Sequence, residues 1–577
     1  MIRVRYQLLF LSFVVLGIYY PSIFSPFCSV DDDRMVNTLL NLESFSLFDL
    51  FFPGGSGQYY RPLLYLTFIG DKYLWGLEES FMHLENVVLH LANTLLVFVS
   101  VRVLFKRWSG DDGVIAWLPM VAALIFALHP INTEAVNWIS GRTDVLACFF
   151  VLLSLVFLSC SLGGGNTIMA ISAGVALLLG ALAKESALFF VPPAIFLVLC
   201  YDHSVCTKDN WQVRIMKGAA PIIAMISSAM IYLIMRSMAL SKSDKGIAEA
   251  VKHVATPSAD LINTARIFAK ATGFYLKKLF LPLPLNFGIV EVSNLYIVPG
   301  VLFFFLLLFL LYKRNLTSFF IIAGFCICAP SFILTVTKLS WTPVAERYLY
   351  IPSAMFSIVV ASWCISLHKR MNGSPLLAMV FVVLLSGTAH ATVTRNIVWQ
   401  DNYTLFADTA AKSPQFATAK NDMAIALLKR GNKSEAYRIF KSVPVENFQL
   451  ASLNRAFVYM QEGKPEEARR ILYERLKEGN GYKGKILESL VKITEQKRSN
   501  SVDPIEMHAL NDELLSLVKQ QYAMTKDPFY KYRMGLIHLQ LDNQEAAFEC
   551  FSSAKMAAPM GSHYRQAAIR LADKFRP

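Results

Sequence analysis

The sequence predicts an all-α protein: a polytopic bundle of membrane-spanning helices over residues 1–394, followed by a soluble α-solenoid over 395–577. Three observations carry this reading. The chain is 55% hydrophobic and only 17% charged, with a mean hydropathy of +0.43, the balance of a membrane protein. The apolar runs stop near Thr394, beyond which the text turns charged and rich in Ala and Leu, with no run of spanning length. That tail also repeats itself.

Apolar runs fall near 6–25, 84–105, 114–130, 143–162, 167–183, 186–201, 218–236, 296–312, 318–336, 350–367 and 376–393, which makes about eleven spans. The N-terminus, with Arg3 and Arg5 before an apolar stretch, has the look of a signal peptide. Pro21, Pro26 and aromatic residues stand where a small-residue cleavage site is needed, so it reads as an uncleaved first span. With Arg3 and Arg5 inside, the later interior loops hold Lys106 and Arg107, then Lys208, Arg214 and Lys217, then Lys313 and Arg314, then His368, Lys369 and Arg370. This satisfies the positive-inside rule and puts the tail outside. The stretch 259–285 carries Arg266, Lys270, Lys277 and Lys278 at helical spacing and ends at Pro282 and Pro284. It suits an amphipathic interfacial helix better than a span.

In the tail, Met423-Ala424, Leu427, Gly431, Ala436 and Phe440 return as Arg455-Ala456, Tyr459, Gly463, Ala468 and Leu472, and again as Met534-Gly535, His538, Ala547, Phe551 and Pro559. Small residues at helix crossings and a loop after each first helix describe a helix–turn–helix repeat like the tetratricopeptide pattern. Residues 477–525 fit it poorly. Stacked repeats of this kind form a groove suited to peptides or partner proteins.

The net charge of +13 sits largely in loops beside apolar segments, where it sets orientation, so nucleic-acid binding is not expected. The nine cysteines lie mostly inside apolar runs, and Cys326-Ile327-Cys328 has the wrong spacing for a zinc knuckle.

Read through this topology, the unusual polar residues gather on the outer face. Asp31, Asp32 and Asp33 follow the first span; Arg61 and His83 follow in the first outer loop. His83, Asn86, His90 and Asn93 share one helix face, and the last three suit helix–helix hydrogen bonding. His129, Glu134, Arg142 and Asp144 crowd one short turn; Lys184-Glu185 and Glu346-Arg347 occupy two more. Each charged pair alone reads as a structural ion pair. Together, carboxylates that can activate a nucleophile and cations that can hold a phosphate suit transfer chemistry on a lipid-linked anionic substrate.

The order of the motifs is specific: an Asp-Asp loop, Tyr60-Arg61-Pro62-Leu63, His83-Leu84-Glu85-Asn86 through His90, His129-Pro130 through Glu134-Ala135-Val136-Asn137-Trp138-Ile139-Ser140-Gly141-Arg142-Thr143-Asp144, Ala183-Lys184-Glu185, and Glu346-Arg347-Tyr348-Leu349-Tyr350. Arg395-Asn396, Trp399 and Asp401 then lead into the repeats. Over almost the whole chain this resembles the transmembrane and tetratricopeptide-repeat family of protein O-mannosyltransferases, polytopic enzymes of the GT-C glycosyltransferase fold.

The resemblance implies a polyprenyl-phosphate-linked hexose, mannose in that family, as donor, a Ser/Thr hydroxyl of an exported protein as acceptor, and inversion at the anomeric carbon. The acidic pair falls on Asp31-Asp32 or Asp32-Asp33, and Asp32, common to both, is the expected base. Arg347 is the expected ligand of the donor phosphate, with Arg142 and Lys184 as lesser candidates; Arg61, His83, His129, Glu134, Asp144, Glu185 and Glu346 form the supporting cluster. The chain has three aspartates where the family has two, and its repeat array is short. No cofactor is implied with certainty; a divalent cation, Mg or Mn, would belong at the outer acidic cluster. The expected partners are the lipid bilayer, the sugar donor and, through the repeats, the acceptor protein. The compact size points to a bacterial inner membrane with a periplasmic site, the endoplasmic-reticulum membrane being the eukaryotic alternative. Competing readings are the same chemistry on a lipid or polysaccharide acceptor, and a non-catalytic scaffold or transporter.

Overall fold

The computed structural model describes residues 2–53, 60–109, 117–162, 166–205, 211–240, 261–337, 342–444, 450–479 and 482–576. Lys208, one of the basic interior-loop residues, lies outside them. Among the described residues every regular element is helical, and the one extended pairing is an isolated bridge between Ile289 and Val344. The chain divides into two compact units, Met1–Phe416 and Ala417–Pro577. Position 394 falls inside the helix Pro375–Trp399, and the next helix, Asn402–Lys412, is tied into the first unit. Lys412 donates to the Leu285 carbonyl, and Asn286 to the Ser413 hydroxyl.

In the first unit, eight described helices are long and apolar enough to cross a membrane: Val4–Phe24, Glu79–Phe105, Ile139–Leu162, Gly218–Ala239, Asn294–Lys313, Leu316–Val336, Glu346–Arg370 and Pro375–Trp399. The other three apolar runs take different forms. Leu118–Leu128 stops before Pro130, which has no amide hydrogen and pushes His129 into an extended conformation; the chain continues as Pro130–Asn137, bent by 50°. Thr167–Ala183 and Glu185–Leu199 are shorter apolar helices, interrupted where Lys184 is extended. Helix Leu261–Phe280 is not among the spans. Its buried face carries Ala269, Ala271, Phe274 and Tyr275, and it crosses the start of helix Ile297–Lys313 so closely that a Cβ on Gly273 or Gly300 would collide with the facing backbone. The core of this unit is built from Val97, Val101, Phe126, Val151, Leu155, Phe319 and Ile358.

The second unit is a stack of helix hairpins. Ala417–Lys429 packs on Lys433–Ser442, Ala451–Gln461 on Pro465–Lys477, Lys483–Asn500 on Pro504–Thr525, and Pro528–Gln540 on Gln544–Ala557, with Arg565–Lys574 closing the row. Each hairpin packs on the next, as in a tetratricopeptide-like solenoid. Gly431 and Gly463 end the first helix of two hairpins at φ +83° and +72°, a left-handed turn that glycine adopts without strain. The third aligned window has Asp542 there instead, at φ +58°. Gly535 marks the small position: a Cβ would come within 2.6 Å of the buried Phe551 ring. The hairpin Lys483–Thr525, with helices of 18 and 22 residues, is longer than its neighbours of 10 to 14, so its period slips.

Candidate functional site

The turns that carry the polar residues meet at one end of the first unit. Helix Asp32–Leu40 begins in the aspartate triplet, where carboxylates complement the exposed amides of a helix start. Adjacent residues at such a start point in different directions, and the three aspartates have different fates. Asp32, the expected base, is completely buried. Its Oδ1 accepts the Ser140 amide at 3.0 Å and the Ser140 hydroxyl at 2.5 Å, and its Oδ2 accepts the Cys28 amide at 3.0 Å. Burial raises its pKa to about 7 against the opposing pull of those hydrogen bonds. No face of it is open to a substrate hydroxyl. Asp31, by contrast, is exposed, and its carboxylate accepts no hydrogen bond among the described residues. The protein mass around it raises its pKa from the ordinary aspartate value, while the charges of Arg347 and Arg34 pull it back. Asp33 is half-buried.

Arg347, in the turn Glu346–Leu349, is what Asp31 senses. Its Nη1 meets Glu134 Oε1 at 2.6 Å, its own amide donates to Glu134 Oε2 at 3.2 Å, and its Nη2 reaches the Thr342 hydroxyl at 3.2 Å. Its guanidinium lies 5.1 Å from the centre of the Trp138 ring and 4.9 Å from that of Tyr348. Lys184 faces the same Tyr348 ring at 5.3 Å and pairs with Asp144 at 2.6 Å. Asp144 in turn lies within electrostatic reach of Arg347 and Arg61. Arg61 grips Glu185 through two hydrogen bonds, of 3.1 and 2.8 Å. Asp31, Glu134, Arg347, Asp144, Lys184, Arg61 and Glu185 therefore form one linked set of alternating charge.

Other expected members stand behind it. Arg142, considered as a phosphate ligand, is fully buried and spent on the protein itself. It pairs with Asp71 at 2.7 Å and Glu85 at 3.0 Å, and donates to Asn86 and to the Met82 carbonyl. A phosphate cannot reach it. Arg142→Leu strands Asp71 in the interior, which costs about 3–5 kcal/mol; chemical unfolding of the membrane-embedded protein should show that loss, whatever the activity. His129 is occupied by the Leu279 carbonyl and the Ile131 amide, and Glu346 by Lys278 and the Asn286 amide. His83 is buried beside the Ser25 and Pro26 carbonyls. Asn86, His90 and Asn93 make the expected helix–helix hydrogen bonds, to Val136 and Trp138, to Tyr350, and to Val145 and Tyr350.

The structure adds residues that reasoning from charge passed over. Ser140 and Trp138 stand inside the Trp138–Asp144 motif but are uncharged; Lys278 reads in sequence as one more charge on an amphipathic helix; Asp71 lies in helix Pro62–Trp75, beyond the motif that opens it. Only their partners reveal them. As for a divalent cation, no three His, Cys, Asp or Glu side chains among the described residues are arranged to hold one.

Fold and site together define an integral membrane protein whose helical bundle carries a carboxylate–cation cluster in its inter-span turns and whose chain continues into a tetratricopeptide-like solenoid. Its curated relatives are protein O-mannosyl-transferases, which bears out the resemblance drawn from the motifs. Mouse protein O-mannosyl-transferase TMTC3 is 28% identical over 419 residues, covering 67% of this chain and 44% of its own. Human protein O-mannosyl-transferase TMTC1 is 40% identical over 111 residues, 19% of this chain and 12% of its own, and the Xenopus laevis protein O-mannosyl-transferase tmtc2 is 44% identical over 102 residues, 18% and 11%. The matches thus span less than half the length of these relatives. No protein-family profile and no solved structure matches the chain.

Proposed function

We propose that this protein transfers a mannosyl group from a polyprenyl-phosphate carrier to Ser/Thr hydroxyls of proteins on the outer side of the membrane, with inversion. The observation that carries the reading is an accessible carboxylate, Asp31, held within electrostatic reach of the Arg347 guanidinium in a chain similar to protein O-mannosyl-transferases. In the reaction, Asp31 takes the proton of the acceptor hydroxyl as its oxygen attacks the anomeric carbon. The bond from that carbon to the carrier phosphate breaks, and its electron pair leaves with the phosphate. One displacement inverts the centre. Arg347 and Lys184, flanking the Tyr348 ring, offset the charge that grows on the leaving phosphate. Glu134 and Asp144 keep these cations neutralised and oriented while the site is empty. The solenoid selects the acceptor chain, a role that the groove of a tetratricopeptide-like stack suits. Mass spectrometry of exported or lumenal proteins, with and without the gene, tests the reading: hexose on Ser/Thr sites should disappear with the gene, and an unchanged glycan profile refutes it.

A further inference from the structure

The turn Ile139–Gly141 is the point at which the two halves of the candidate site are joined. It opens the span Ile139–Leu162, directly after the bent pair Leu118–Leu128 and Pro130–Asn137, and the stretch around it touches both the cation and the acidic triplet. At its start, Glu134 pairs with Arg347 and Trp138 stacks under the guanidinium. Two residues past Trp138, Ser140 gives both its amide and its hydroxyl to a single oxygen of Asp32. The other Asp32 oxygen holds the Cys28 amide, closing the loop that leads into helix Asp32–Leu40. The stretch is also rigid. A Cβ on Gly141 would lie 2.6 Å from the Ala135 carbonyl oxygen, Asn86 holds the Val136 and Trp138 carbonyls, and Arg142 holds Asn86.

From this geometry we infer that Ser140 is a positioning residue for the transfer: by clamping Asp32 it fixes the start of helix Asp32–Leu40, and with it the neighbouring Asp31, against the stretch whose Trp138 and Glu134 hold Arg347. The inference rests on the proposed transferase reading and adds to it that the second carboxylate of the acidic pair anchors the first. The Ser140 hydroxyl donates to a carboxylate, a charge-assisted bond of the strong kind. Its loss leaves the amide of Ser140 as the only tie between the two segments at this oxygen, and Asp31 then samples orientations away from Arg347.

The test uses the full-length protein in lipid nanodiscs, a synthetic polyprenyl-phosphate mannose and a Ser/Thr peptide. Ser140→Ala should lower kcat roughly 10- to 100-fold, the worth of one such hydrogen bond, with donor affinity and the thermal midpoint close to those of the wild type. Ser140→Thr, which keeps the hydroxyl, should recover most of the rate. In the double variant with Asp32→Asn, the loss should match that of Asp32→Asn alone, because both act through one contact. A Ser140→Ala protein with unchanged kcat overturns the inference. So does one that loses donor affinity, thermal midpoint and kcat together without recovery in Ser140→Thr, or a double variant whose losses simply multiply. A wild type that transfers no hexose at all removes the transferase reading and this inference with it; an active wild type with an unimpaired Ser140→Ala protein removes the inference alone.

Discussion

Asp31→Asn should lower the transfer rate by about 10²–10⁴-fold while donor affinity stays close to that of the wild type. That range is the contribution of a positioned general base, and Asp31 is the exposed member of the triplet, its carboxylate accepting no hydrogen bond among the described residues. The amide keeps the volume and removes the proton acceptor. A pH profile identifies the group independently. The base acts deprotonated, so the rate rises with pH through its pKa. The environment of Asp31 raises that pKa, so the limb should lie above the ordinary aspartate value of about 4. The charge of Arg347 pulls in the opposite direction, so removing it should move the limb further up. Asp32→Asn should keep the limb, although it slows the reaction, because it disturbs the anchor and leaves the base present. A limb that vanishes in Asp32→Asn and persists in Asp31→Asn would reverse the two roles.

The second large effect belongs to Arg347. Arg347→Gln should weaken donor binding about 10- to 100-fold, as expected for a charge-assisted contact to a phosphate lost from a poorly solvated site. It also leaves Glu134 buried without its counter-ion, at a cost in stability of about 3–5 kcal/mol. The two consequences separate in the double variant Arg347→Gln/Glu134→Gln. Stability should return, since neither partner is charged, whereas donor affinity should not. Titration of donor into both variants, alongside chemical unfolding, measures the pair of effects. Recovery of donor affinity in the double variant would mean that Arg347 only neutralises Glu134.

Much of the architecture is legible in the sequence because it depends on local signals. Hydropathy separates the membrane bundle from the tail, and small residues spaced along the tail disclose hairpins. What escapes is set by single residues or by length. Pro130 bends one apolar run, and the runs on either side of Lys184 form helices shorter than a span, so among the described residues the eleven runs become eight long helices, one bent pair and two short helices. The hairpin Lys483–Thr525 hides in the tail because its helices are longer than those that establish the period.

For the site, the cost of burying charge marks the right turns but not the roles within them. Arg142 and Arg347 look alike in sequence; one meets Asp71 and Glu85 in the interior, the other pairs with Glu134 within electrostatic reach of Asp31. Asp31 and Asp32 are neighbours of identical chemistry. Which of them turns inward is decided by Ser140, 108 residues away in sequence. Long-range pairing of that kind leaves no mark on spacing or periodicity.

The central claim, that an accessible aspartate within electrostatic reach of Arg347 drives sugar transfer onto protein hydroxyls, is tested most directly by one reconstitution. Purified wild type and Asp31→Asn proteins in nanodiscs receive synthetic polyprenyl-phosphate mannose and a Ser/Thr peptide, and the peptide's intact mass is followed with time. The account predicts that the wild type adds hexose and that the variant binds donor equally well but leaves the peptide almost unmodified. Equal modification by the two proteins would contradict it.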